Sequence, residues 1–467
     1  MILGNARLGQ NTVDFRIEDG VIAEIGSIGS PDVDLAGRWI IPGLWDNHVH
    51  FTQWALGSQR VDLSGATSAT EAARIVADAV PSASGMVVGG GFRDGLWPDA
   101  PHYALLDAVS GDLPVVLVSG DLHAAWLNSA ALRQFGHADH ATGLLREEAA
   151  FTVTGQLGDV GDETIDGWAR SAADAAAARG IVGISDLEMA WNRDTWERRI
   201  ASGHDSLRVE FAIYTEHLER AIAEGLHTGQ RLGELLTVGG YKVLTDGSLN
   251  TRTAYTHDDY PGGGRGILTV PPTELLPLMR RASEAGILPY VHAIGDHANT
   301  LALDAFEELG VGGRIEHAQL LVESDFARFA ALGVAASVQP DHAMDDRDVA
   351  DALWAGRTGR MYAFRSLLDA GATLLFGSDA PVSPLDPWAT IAAAVTRSRG
   401  GREPWHPEQC VSATEALAAS TRSRVAVGEP ADLVAIERDP LVASGDDLRG
   451  MPVALTLLGG RPTWQNL

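Results

Sequence analysis

The sequence predicts an α/β chain: a TIM (β/α)8 barrel, a small β-sandwich formed from both termini, and an insertion after the first barrel strand. Three observations predict it. Eight short apolar runs alternate with Ala-rich helical stretches through the middle of the chain, the rhythm of a parallel sheet with crossover helices. The two ends share a texture of short strands. The stretch from about 57 to 166 breaks the rhythm and carries strands of its own.

The eight barrel strands are expected at Trp39 to His50, Gly180 to Asp186, Leu207 to Tyr214, Gly240 to Thr245, Leu288 to Ile294, Arg314 to Ala318, Ala335 to Gln339 and Thr373 to Ser378. Helices such as Ala169 to Arg179, Pro272 to Ala285 and Glu323 to Leu332 lie between them. Eight βα units over this length fit a closed barrel better than an open doubly wound sheet, and no GxGxxG follows a strand. Phe15 to Glu18, Val21 to Ile25, Asp34 to Leu35, Asp432 to Glu437 and Val453 to Leu458 are expected to join residues 1–39 and 426–467 into the sandwich. The barrel then spans 40–425. Its insertion, with strands at Met86 to Val88 and Val115 to Val118, is too long for a connection and is expected over the barrel mouth.

Composition narrows the partners. In 467 residues, 35 basic side chains stand against 62 acidic ones, a net charge of −27. A field of that sign repels phosphate backbones and anionic lipid, so nucleic acid and membrane surfaces are excluded in favour of a small-molecule substrate. No apolar stretch is long enough for a membrane span, and the N-terminus lacks the basic and apolar regions of a signal peptide. A cytoplasmic protein is expected, and a homodimer would be an ordinary assembly for it. The single cysteine, Cys410, has no surrounding nucleophile signature and reads as a structural thiol.

His48-Val49-His50 closes the first expected strand. Residues i and i+2 of a strand share a face, so both imidazoles can reach one ion. With 15 histidines in the chain such a pair is weak by itself. Its context strengthens it: His292, His317 and Asp379 each end another expected strand, on the face where barrel active sites form.

Of the 35 basic residues, 34 are arginine and one is lysine, Lys242, placed in the apolar fourth strand. A free ammonium is costly to bury there. A neutral lysine amine can react with carbon dioxide to give an anionic carbamate that bridges two metal ions; arginine cannot. The competing explanation is a structural ion pair.

The sequence resembles the amidohydrolase superfamily, specifically the amidohydrolase 3 branch that includes N-substituted formamide deformylases. The resemblance is carried by Ile41-Pro42-Gly43-Leu44-Trp45-Asp46-Asn47-His48-Val49-His50, by the run from Ser119 to Ser129, and by Asp246-Gly247-Ser248-Leu249 with Arg252-Thr253-Ala254. It continues in His292-Ala293-Ile294-Gly295-Asp296, Ser337-Val338-Gln339-Pro340, Gly377-Ser378-Asp379-Ala380-Pro381-Val382 and Pro430-Ala431-Asp432-Leu433-Val434. It implies the same barrel, the same sandwich, and a metal centre of His48, His50, Lys242, His292, His317 and Asp379.

The expected reaction is hydrolysis of a small N-acyl or N-formyl amine by metal-activated hydroxide, with Asp379 as general base turned acid. Two divalent ions are expected, with carboxylated Lys242 as bridge. Zinc suits these ligands, as would iron, manganese or nickel. Trp97 and His123 on the insertion, with Asp296, His297 and His342, are the expected substrate contacts, packing being the alternative for Trp97 and His123. Deamination, lactone or ester cleavage, and a non-catalytic scaffold are the competing functions. Deaminases of the superfamily usually place a Glu three residues after the fifth-strand histidine, where this chain has Gly295.

Overall fold

The computed structural model describes residues 1–58, 60–81, 85–157 and 161–467. Its centre is an eight-stranded, wholly parallel sheet. The strands run Leu44–Val49, Ile181–Asp186, Arg208–Tyr214, Leu236–Leu244, Pro289–Ala293, Gly313–His317, Val334–Val338 and Leu374–Phe376, each pairing with the next. The first and last meet: Asp379 N donates to His48 O at 2.7 Å, and His50 N donates to Ala380 O at 2.8 Å. The barrel is therefore closed, and the predicted fold class holds.

The seam is tightly built. Buried Asp46 accepts both His48 N and Ser378 N, at 3.1 and 3.0 Å. Burial pushes its carboxyl up to about 7. Gly377 has no alternative residue here, because a Cβ would stand 2.6 Å from His48 N. Side chains from every layer, including Ile184, Phe211, Val243, Val291, Ile315, Val338 and Phe376, fill a continuous apolar core. At about 25 cal/mol per Å² of buried apolar surface, this packing is the main favourable term holding the strand ends in place.

The expected first strand, Trp39 to His50, is two strands. Trp39–Pro42 pairs with Leu433–Ile436 in the terminal sheet, and only Leu44–Val49 enters the barrel. Gly43 lies between them, pressed so closely against Val182 that a side chain would collide.

The terminal strands form one sheet in the order Arg461–Gln465, Val453–Leu458, Leu433–Ile436, Trp39–Pro42, Ile2–Leu8, Asn11–Glu18 and Val21–Gly26, with Val33–Asp34 beside Ile2–Leu8. It curls over its own core of Leu3, Phe15, Ile17, Ile22, Leu433, Leu455 and Leu457, making the small sandwich. Asp432 ties it to the barrel, accepting Arg208 Nε at 2.8 Å and Gly459 N at 2.6 Å. The insertion forms a separate five-stranded sheet, Val61–Asp62, Val87–Phe92, Val115–Ser119, Ala124–Leu127 and Leu144–Arg146, around Phe92, Leu117 and Trp126. Among the described residues no helix is long and apolar enough to cross a membrane.

Candidate metal centre

Five of the six predicted ligands come from the C-terminal ends of barrel strands or the residues just beyond them: His48 and His50 from the first, His292 from the fifth, His317 from the sixth and Asp379 after the eighth. Lys242 lies two residues short of the end of the fourth. All six line one cavity of about 420 Å³. Donor atoms of His48, His317 and Asp379 lie within 4.8 Å of one another. His48 Nε2 and His50 Nε2 stand 3.4 and 3.3 Å from Asp379 Oδ1, and the His317 ring is 5.0 Å from His48 and 4.4 Å from His292.

Electrostatics favours a cation. Burial, reinforced by Lys242, lowers His48, while burial and neighbouring His292 hold His317 well below the ordinary imidazole range. The rings are thus neutral, with lone pairs to offer. Burial alone would raise Asp379, but the surrounding imidazoles, His48 foremost, hold it well below the usual carboxylate range. The neutral His48 and His317 rings beside an ionised carboxylate, with buried His317 Nδ1 making no hydrogen bond, are a donor set lacking its acceptor; burial would lower His50, but Asp379 outweighs it and draws that imidazole upward. An unmet buried polar atom costs about 1–3 kcal/mol. A divalent ion of the zinc type fits this chemistry.

Lys242 is 2 % exposed, and burial lowers its ammonium. Glu316 and Asp379 act on it only at longer range: among the described residues no carboxylate forms an ion pair with it. The structural ion pair that would have explained a buried lysine is not formed.

The backbone is bent to serve the site. His317, Ala318 and Asp379 have φ of 74°, 40° and 56°. Such left-handed residues cost on the order of 1–3 kcal/mol each and cluster where function requires them. At His317 the departure from the strand lets adjacent residues face one place: Glu316 Oε2 accepts His48 Nδ1 at 2.8 Å. Sequence reasoning missed Glu316, since consecutive strand residues normally face opposite sides.

The outer predictions divide. His123 lines the cavity, and its Nδ1 is paired with Glu147 Oε2 at 2.8 Å. Burial would lower this imidazole, but Glu147 outweighs it and the net shift is upward. Thr253 Oγ1 holds the other Glu147 oxygen at 2.7 Å. His342, first residue of a helix His342–Leu353, also lines the cavity, with Nε2 at 4.0 Å from Asp379 Oδ2.

Three predicted contacts are placed elsewhere. The Trp97 indole packs against Phe92 in the inserted lobe and donates to Ala66 O at 3.2 Å, so its apolar bulk serves that core. Asp296 opens the helix Asp296–Leu309 and accepts His257 N at 2.9 Å. His297 is stacked between Tyr255 and His257, at 4.7 and 4.2 Å. None of the three lines the cavity.

A closed parallel barrel presenting imidazoles, a carboxylate and a buried lysine at its strand ends defines a metal-dependent hydrolase. The chain belongs to the amidohydrolase family, whose signature matches residues 33–464. It is 31 % identical to Protein LONG AFTER FAR-RED 3 of Arabidopsis thaliana, over 87 % of this chain and 79 % of that one. It is 25 % identical to the N-substituted formamide deformylase of Arthrobacter pascens, over 94 % and 92 % of the two chains. Among solved structures, a metal-dependent hydrolase of Pyrococcus horikoshii superposes with a TM-score of 0.79 at 26 % identity, covering 95 % of this chain and 99 % of the other.

Proposed function

We propose that this hydrolase cleaves the C–N bond of a small N-acyl or N-formyl amine, using two divalent ions, zinc by preference, held by His48, His50, carboxylated Lys242, His292, His317 and Asp379. The observation that carries the reading is Lys242: buried, without an ion pair among the described residues, and among the lining of the cavity that contains the imidazoles and Asp379. As a carbamate it would supply the anionic bridge that the arrangement lacks. When bound, the ions lower the pKa of water and polarise a carbonyl oxygen.

The chain's own residues do the rest. Asp379 is ionised and has one oxygen, Oδ2, turned from His48 and His50 toward His342. That oxygen takes the proton of the attacking water and returns it to the leaving nitrogen, which becomes a free amine. His123, its Nδ1 occupied by Glu147, has Nε2 left to donate to the substrate. The inserted lobe, about 57–166, serves as the cover, the barrel of 40–425 as the platform, and residues 1–39 with 426–467 as its brace.

Deamination is less well supported. Gly295 is packed against the Tyr255 backbone so closely that even a Cβ would collide, so a glutamate cannot occupy that position. The name of the formamide deformylase relative points the same way. The composition fits a cytoplasmic protein acting on small molecules, and a homodimer is compatible with it.

The test is amine release from a panel of N-formyl and N-acyl amines by metal-loaded protein. Turnover is expected, with Asp379→Asn slower by roughly 10²–10⁴-fold, the usual contribution of a positioned general base. Ammonia release from heterocycles, or turnover confined to lactones and esters, would overturn the amide assignment.

A further inference from the structure

We propose that Arg60 forms a carboxylate-binding subsite in the same cavity, so that the substrate is an N-acyl amine carrying an acidic group; this rests on the amide-hydrolase reading above. Four arginines line the cavity: Arg60, Arg93, Arg198 and Arg199. Three are neutralised by protein carboxylates. Arg93 Nη2 meets Asp345 Oδ2 at 3.1 Å, and Arg198 Nε and Arg199 Nε meet the two oxygens of Asp166 at 2.8 and 2.9 Å. The Arg60 guanidinium has neither an ion pair nor a hydrogen bond to a partner among the described residues.

Its isolation is not a matter of lying in open water. Arg60 is partly buried, and burial lowers its guanidinium from the usual value. A desolvated cation is normally paired, because burying a charge without compensation is costly. The carboxylate whose charge reaches Arg60 is Glu188, which also lines the cavity. Yet Glu188 makes no ion pair with Arg60. Its oxygens are taken by Gln53 N at 2.9 Å, Gln53 Nε2 at 2.8 Å and Met189 N at 3.2 Å.

The fork of a guanidinium matches a carboxylate with two parallel hydrogen bonds. A substrate carboxylate would therefore complete Arg60 in the way that Asp345 and Asp166 complete the other three. Leu56, Ile165 and Met189 also line the cavity, offering apolar contact to the body of such a substrate. In a chain of net charge −27, discrimination in favour of an acid requires a local cation of this kind.

The probes are N-methanesulfonyl-leucine and its neutral carboxamide, whose sulfonamide bond is not a carbonyl amide. Their binding to metal-loaded protein is read by calorimetry whether or not the centre hydrolyses amides. Wild type should bind the acid roughly 10- to 100-fold more tightly than the carboxamide, the range of a charged hydrogen-bond pair. Arg60→Gln should abolish that preference and leave carboxamide affinity within about twofold, while Arg60→Lys should retain part of it. Equal binding of the two probes by wild type, equal weakening of both in Arg60→Gln, or no binding of either would overturn the subsite. Acid preference that depends on Arg60, found in a protein inactive on every amide tested, would leave the subsite standing and sink the hydrolysis reading alone.

Discussion

His48 and Glu316 are joined by a 2.8 Å contact between two fully buried groups 268 residues apart in sequence. The Nδ1–H of His48 donates to Glu316 Oε2, which fixes the tautomer and leaves the Nε2 lone pair facing Asp379 Oδ1. Partners of this kind orient a metal-binding imidazole and raise its basicity. Glu316→Ala should therefore weaken metal affinity by about 10- to 100-fold, and Glu316→Gln, which can still accept the bond, by less. Competition with a chromophoric chelator measures both. Unchanged affinity in both variants would contradict the assigned role.

Lys242→Ala separates a bridging ligand from a structural lysine. Elemental analysis should find about two ions per wild-type chain and a clear loss in the variant, because a missing ligand lowers site affinity directly. A single ion in both proteins would make the centre mononuclear and leave the buried ammonium unexplained.

His123 and Glu147 act as a pair contributed by the inserted lobe. Glu147 raises the imidazole against the opposing effect of burial. Removing that carboxylate should lower the His123 pKa, so any alkaline limb of the rate profile due to loss of its proton should move to lower pH. Glu147→Ala should reduce kcat more than it changes KM, and Glu147→Gln should recover part of the loss by keeping the acceptor. A drop in thermal stability with an unmoved pH profile would assign Glu147 to packing alone.

Much of the centre was legible because barrel chemistry is linear in sequence: the histidines and Asp379 close apolar runs, Lys242 stands out as the one lysine inside such a run, and the runs are spaced by helices. The rest depended on contacts that no local pattern encodes. Glu316 reaches His48 only because the backbone leaves the strand at His317. Glu147 finds His123 because Ala124 and Arg146 are register partners across an antiparallel pair. Trp97 takes its packing alternative for the converse reason: an aromatic residue in a loop looks alike in sequence whether it faces a ligand or a private core. The strands Ile2–Leu8 and Arg461–Gln465 escaped notice too, the first broken by a bulge between Leu3 and Ala6, the second short, at the sheet edge and containing Pro462.

Within the barrel lies a charge cluster with a separate, acid-sensitive role. Glu210 accepts Arg314 Nη2 and Arg422 Nη1, each at 2.8 Å, and Ser185 Oγ at 3.0 Å; Arg422 also donates to Asn47 Oδ1, the neighbour of His48. Burial opposes ionisation of Glu210, but Arg314 and Arg422 prevail and bring its pKa from 4.5 down to about 2. Because the folded value lies below the unfolded one, the stabilisation is fully present above about pH 4.5 and is lost as pH falls through about 2. Glu210→Gln leaves the half-buried Arg314 and the more exposed Arg422 short of a counter-charge and should cost about 1–3 kcal/mol at neutral pH. Denaturant unfolding of metal-depleted protein from pH 7 to 2 should show the wild-type and variant curves converging at the acid end. Curves that stay parallel would mean that the ion cluster contributes no pH-dependent stability.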